Sequence, residues 1–519
     1  METPSRFQPQ ERTILRSLLH SGLPFYLWVA GLGGLFLWGI RAYTVQLQEG
    51  LAATGMRDYV SWGLYITNFV FFIGISHVGA LMSAILRISG AAWRKPVTRM
   101  AEAITFSSLF FGALMPIVDL GRPDRIWHLL VYPRIQSPIV WDFVCIFTYL
   151  IGSTIFLYLP MIPDVALLRD DLSQAKGWRY RLYSILALGW RGMPDQHRSL
   201  ERAMSVMAVL IIPIAVSVHT VVSWIFGMTL RPGWNSTIFG PYFVMGALVS
   251  GAASVVVAMA AFRRFYHLEE YITLKHFRNM ALLVLALDLI YIYFNIAEYL
   301  TVGYKMEEAE RGLLYTLLGG EYALAFWLVQ IGGLLLPALL FILPEVGAVE
   351  RIRRVPLLRP WPLAAAASIS LAAMVLLVTQ GPTQTGVDFG SLGSSLSWAV
   401  ALLLALLVIS TLPALRAHRI LAYVLGAGLI VIQAWLKRYL IIVPTLLSPY
   451  LPIQDPRIEW TTYIPTWVEW SITLGAMAGF VLLYTLFSKL FPIVSIWETR
   501  EEEPRPAVTH YSREREAEA

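Results

Sequence analysis

The chain has a single thiol, Cys145, among 519 residues. One sulfur closes no internal disulfide and ligates no iron–sulfur cluster, and no CxxCH segment is present to hold a haem covalently. Charge is scarce as well. Asp, Glu, Lys and Arg make up 14% of the residues against 57% hydrophobic ones, and a mean hydropathy of +0.61 excludes an ordinary soluble protein. The formal net charge of +6 gives no ground for nucleic-acid binding, because basic residues facing anionic lipid account for it. Nine histidines leave a bis-histidine haem cage conceivable, yet only His77 and His219 fall in the middle of apolar runs.

Long apolar runs are plentiful. Crossing a bilayer core takes about 20 apolar residues per helix, and such segments occur near 24–46, 59–86, 100–118, 139–163, 205–228, 240–262, 279–304, 321–344, 361–379, 397–415, 420–442 and 467–491. The expected fold is an all-α polytopic membrane protein with 10 to 12 transmembrane helices. No cleavable leader is expected, since METPSRFQPQERTILRSLLH is polar and the first apolar run is long enough to stay as a span. With the N-terminus inside, the inner segments hold 29 of the 40 basic residues and the outer ones ten, which predicts both termini in the cytoplasm. An even number of spans follows, so 361–415 contributes two helices or none.

A faint internal repeat relates ITNFVFFIGISHVGALMSAILRISGA (66–91) to FGPYFVMGALVSGAASVVVAMAAFRR (239–264). Each runs from aromatic through small to aliphatic residues and ends in a basic loop. Small residues at this spacing let helices approach closely. Two related four-helix bundles with peripheral helices are expected: 1–58 with the first span, 59–238 the first bundle, 239–447 the second with an inserted pair at 361–415, 448–498 an outer loop and last span, and 499–519 a polar tail. The segment 164–203 is basic and aromatic and reads as partly interfacial.

The stretch VDLGRPDRIWHLL (118–130) and the following SPIVWDFVCIFTY, together with WLKRYLIIVP (435–444) and FPIVSIWE (491–498), resemble the NrfD-like (polysulfide reductase) family of quinone-reactive membrane subunits. Within it, the branch found in bacterial alternative complex III is most similar. The resemblance covers roughly 25–345 and 418–498; the pair at 361–415 departs from the ten-helix pattern. It implies menaquinol oxidation at the outer face of the bacterial cytoplasmic membrane, with electrons passed to an iron–sulfur protein docked there. It also implies multihaem cytochrome c proteins and a homologous membrane subunit as partners, and no haem or cluster on this chain.

The residues agree with that chemistry. Quinol oxidation releases two protons with two electrons, so a site needs proton acceptors beside an apolar slot. Asp119 at the end of the third span, His128 in the loop and Asp142 in the first turn of the fourth are the expected catalytic residues. The helix dipole favours the Asp142 carboxylate, and imidazole titrates near neutrality. Arg122 and Arg125 can neutralise the cluster. Arg122, Trp141, Tyr149, His77 and Asn68 are the expected quinol-binding residues. Asp288, Asn295 and Glu298 recur along nearly one stripe of the seventh span and, with His219, form an expected proton path, because charge at such depth needs a partner or a task. Bland readings stand beside each: GRPDR as a turn stapled by an ion pair, His128 as an interfacial structural residue, and the buried carboxylates, with Glu102, as stitching between helices. A proton- or ion-translocating subunit without a quinol site is the alternative function, and a secondary transporter a weaker third.

Overall fold

The computed structural model describes residues 11–19, 21–172, 177–345, 418–450 and 462–500. The expected pair at 361–415, most of the tail and residues 451–461 of the outer loop lie outside the described residues. Among those described, every regular element is helical, and ten helices are long and apolar enough to cross a membrane. They are α1 Leu23–Glu49, α2 Leu64–Ile88, α3 Lys95–Asp119, α4 Pro138–Tyr158, α5 Pro194–Met228, α6 Phe239–Phe265, α7 Leu274–Lys305, α8 Ala323–Glu345, α9 Arg419–Leu446 and α10 Trp467–Leu490.

Their bounds follow the apolar runs with one marked difference. Helix α5 starts at Pro194 rather than near 205, because the polar PDQHRSLERA continues the helix beyond the apolar part. Gln196 fixes that start by accepting the amide of Arg191 at 2.8 Å and that of Met193 at 3.3 Å, which satisfies donors near the helix entry. Beyond Tyr158, α4 runs through a tight turn into Ile162–Asp171, and a further short helix, Trp178–Leu186, follows.

Helix α2 is the axis of the molecule: 89% of its most apolar window is buried, against 11% for α1. It packs on α3, α5, α6 and α9. Helix α4 lies on α5 and α3, α7 on α6 and α9, α8 on α9, and α1 on α10, which also contacts α3. Glycines set the tightest crossings. A Cβ on Gly39 of α1 would lie 2.8 Å from the Gly475 Cα of α10, and one on Gly251 of α6 would lie 2.7 Å from the Val78 Cβ of α2, so no larger residue fits without separating the helices. Outward faces carry exposed apolar residues such as Leu37, Trp38, Ile151, Ile296 and Ile432, as lipid contact requires.

The two ends of the helices differ. At one, here the Asp164 end, the chain after α10 folds back on an ion pair. Arg99 of α3 meets Asp164 at 2.5 Å, with 2% and 0% of the two side chains exposed. Arg99 also donates to the carbonyls of Pro160 at 2.8 Å and Pro492 at 3.1 Å. Asp164 accepts the amides of Ile496 at 3.2 Å and Trp497 at 2.9 Å, so it caps the short helix Ile496–Arg500. The opposite, Asp119 end carries the loop singled out above.

Candidate functional site

At the Asp119 end, α3 stops at Asp119 and the chain turns through Pro123–Arg125 and a single helical turn, His128–Val131, into α4. Asp119 and Asp142 are both half-buried, and each has one carboxylate oxygen sealed from solvent without a hydrogen-bond partner among the described residues. Buried oxygens without donors are uncommon and mark places where something else binds or where a proton resides. The surrounding loop is strongly apolar at its surface, with Trp127, Leu130, Val131, Tyr132, Ile135 and Ile139 all exposed.

The other residues expected here have separate partners. Arg122 forms an exposed ion pair with Asp124 at 3.0 Å, not with Asp119 or Asp142, so its charge is taken up within the turn. His128 is half-buried, and its ring rests edge-on against Trp127 at 4.1 Å and Tyr132 at 5.7 Å. The Trp141 indole donates to the Ile135 carbonyl. Asn68 is fully engaged, donating to Thr473 and accepting from Trp435, both at 2.8 Å, and thereby ties α2 to α9 and α10.

The structure adds residues that sequence reasoning passed over. Glu469, at the start of α10, lies within electrostatic reach of Asp119, as does Tyr65. Tyr65 donates to Gln46 at 2.6 Å, and Gln46 donates to the Val118 carbonyl at 2.7 Å, so this chain of bonds leads to the residue before Asp119. Glu469 itself accepts from the amides of Gly55 at 2.7 Å and Thr466 at 2.9 Å and from the Tyr463 hydroxyl at 2.5 Å. Burial and that carboxylate hold the Tyr463 hydroxyl well above its ordinary pKa.

Deeper in, α2 and α5 bring His77 and His219 together with ring centroids 4.0 Å apart, and Tyr149 lies 5.2 Å from His77. The two His77 nitrogens sit 2.7 Å from the carbonyls of Ile73 and Ala215. A neutral imidazole has one N–H and can donate to only one of them. Neither nitrogen of His219 has a hydrogen-bond partner among the described residues. Tyr149 donates to the Ser76 carbonyl at 2.8 Å, which places it with the histidines.

Between α6, α7, α8 and α9 runs a second polar chain. Tyr242 donates to Asn295 at 3.2 Å; Lys437 donates to Asn295 at 3.1 Å and to Tyr299 at 2.6 Å. Asn295 donates to Gln330, and Ser236 to Glu298. Gln330 lies in a π-helical stretch of α8, Leu328–Leu335, a widened turn of a kind common at functional sites. Asp288 is fully buried, and neither of its oxygens has a hydrogen-bond partner among the described residues. Lys437 and Arg438, counted from sequence with the outer basic residues, are instead buried inside α9, 1% and 4% exposed. Their burial was not legible because their partners lie far away in the chain.

Among the described residues, no group of three or more His, Cys, Asp or Glu side chains could hold a metal ion. A family model described as polysulphide reductase, NrfD, matches residues 52–358. A Halobacterium salinarum protein named as a putative membrane component of dimethyl sulfoxide reductase is 34% identical over 46% of this chain and 52% of its own length. The chain thus spans about half the length of that relative. A selenate reductase component of Mesobacillus selenatarsenatis is 28% identical over 60% of this chain and 72% of its own. The Hdr-like menaquinol oxidoreductase integral membrane subunit of Archaeoglobus fulgidus is 22% identical over 60% of this chain and 69% of its own.

Proposed function

The chain belongs to the polysulphide reductase NrfD family, and from that premise we propose that it is the quinol-binding, multi-pass membrane subunit of an oxidoreductase complex. The observation that carries this reading is that Asp119 and Asp142, at the two ends of the segment with the exposed apolar loop 127–139, each have a sealed carboxylate oxygen without a partner among the described residues. A quinol hydroxyl supplies the donor that such an oxygen lacks, and the loop offers apolar surface to an isoprenoid tail. Asp142 and Asp119 accept the hydroxyl protons, and His128, half-buried in the same loop, carries them to water. The relative named for menaquinol oxidation supports menaquinol as the quinol.

In the fuller proposal the Asp119 end faces outward from a bacterial cytoplasmic membrane and both termini face the cytoplasm. The complex is of the alternative complex III type. Electrons leave to an iron–sulfur protein docked at the Asp119 end and on to multihaem cytochrome c proteins, with a homologous membrane subunit alongside. A second reading is proton translocation through the polar chain of α6–α9, favoured by Asp288, whose two buried oxygens have no donor among the described residues. The test of the main proposal is quinol-dependent electron transfer by the assembled complex carrying Asp142→Asn or His128→Ala. Both are expected to abolish it without loss of assembly; assembled variants with near wild-type turnover would sink the assignment.

A further inference from the structure

A cavity remains that the quinol reading of Asp119 and Asp142 does not use. It lies at the Asp119 end between α6, α7 and α9, under the short helix Glu308–Leu318. The space it offers is about 50 Å³, several times what a single water needs. The rings of Trp234, Phe239 and Tyr242 and the side chain of Leu314 line it.

Three polar residues stand among the lining of this apolar space: Glu298, Tyr299 and Thr445. Glu298 is 7% exposed, and its Oε2 accepts from Ser236. The Tyr299 oxygen accepts the Lys437 ammonium at 2.6 Å, which leaves its own O–H to be donated elsewhere. Thr445 is 3% exposed and its hydroxyl makes no hydrogen bond among the described residues. An acceptor, a donor and a hydroxyl beside aromatic rings fit a flat aromatic headgroup bearing hydroxyl or carbonyl oxygens. A phospholipid phosphate does not fit beside the Glu298 carboxylate, since like charges repel.

We propose that this cavity is a second amphiphile site, taking a hydroxylated aryl headgroup of the quinol class, separate from the Asp119–Asp142 site. The inference rests on the quinol reading, and the experiment separates the two. The purified complex is photolabelled with an azido-naphthoquinone and the labelled peptides are mapped, for wild type, Leu314→Trp and Thr445→Val. Leu314→Trp fills the cavity; Thr445→Val removes only the hydroxyl and keeps the volume.

The expected result is label both on 119–149 and on peptides containing Trp234–Tyr242 or Glu298–Tyr299. Leu314→Trp should cut the second label at least tenfold and Thr445→Val several-fold, with the first unchanged. Label confined to 119–149, or cavity label indifferent to both substitutions, overturns this inference and leaves the main proposal standing. Label in the cavity alone sustains the inference and overturns the Asp119–Asp142 site. No protein label at either place overturns both.

Discussion

Removing one partner of the Arg99–Asp164 pair should release the chain end that folds back after α10. The pair is almost wholly buried, and Asp164 also receives the Ile496 and Trp497 amides. Breaking a buried pair from one side leaves an uncompensated charge and costs about 3–5 kcal/mol. At about 1.4 kcal/mol per tenfold, the open population of 491–500 should rise by roughly two to three and a half orders of magnitude. Hydrogen exchange at the Ile496 and Trp497 amides reads that population directly. Asp164→Asn and Arg99→Met should each accelerate exchange there, while α2 and α6 stay protected. The double variant Arg99→Met/Asp164→Asn leaves neither charge and should exchange more slowly than either single one. Wild-type exchange in both singles, or a double variant at the sum of their effects, would refute the claim that charge compensation holds this segment.

Three further outcomes follow from the geometry. Gly39→Val places side-chain carbons where the Gly475 backbone now lies; overpacking of this kind costs about 1–3 kcal/mol, visible as a lowered thermal midpoint, and an unchanged midpoint would mean that α1 is not held at this crossing. The Tyr463 hydroxyl, raised above its ordinary value of 10.0, should contribute about 1.5–3 kcal/mol through its bond to Glu469. That contribution is complete below pH 10 and is lost as the pH climbs from there toward the folded-state value, so the stability gap to Tyr463→Phe should narrow only in strong alkali. For proton movement, Asp288→Asn and Glu298→Gln in proteoliposomes should lower protons released per electron; an unchanged yield in both would leave them a structural role.

The apolar runs made the ten described helices legible, because crossing a bilayer demands a length and composition that no other element matches. The start of α5 was less so, since PDQHRSLERA is helical through Gln196 capping rather than through apolar periodicity. At the site, the sequence marked Asp119, Asp142 and His128 but not the company they keep. Arg122 binds Asp124 two residues away, a local pairing that competes with any longer one. Glu469 reaches Gly55 from 414 residues away and Lys437 reaches Asn295 across 142. Such pairings come from helix packing and leave no local pattern. WLKRYL was read only as pointing to one branch of the family, whereas the chemistry of its Lys437 and Arg438 emerged only from their burial.

The most direct measurement of the central claim is a structure of the intact complex with a tight-binding quinol analogue. The expected result is a headgroup within hydrogen-bond reach of the Asp142 or Asp119 oxygen that has no partner among the described residues, with its tail along the exposed apolar loop. An analogue that inhibits quinol-dependent turnover, bound elsewhere with those oxygens still unpartnered, would contradict it.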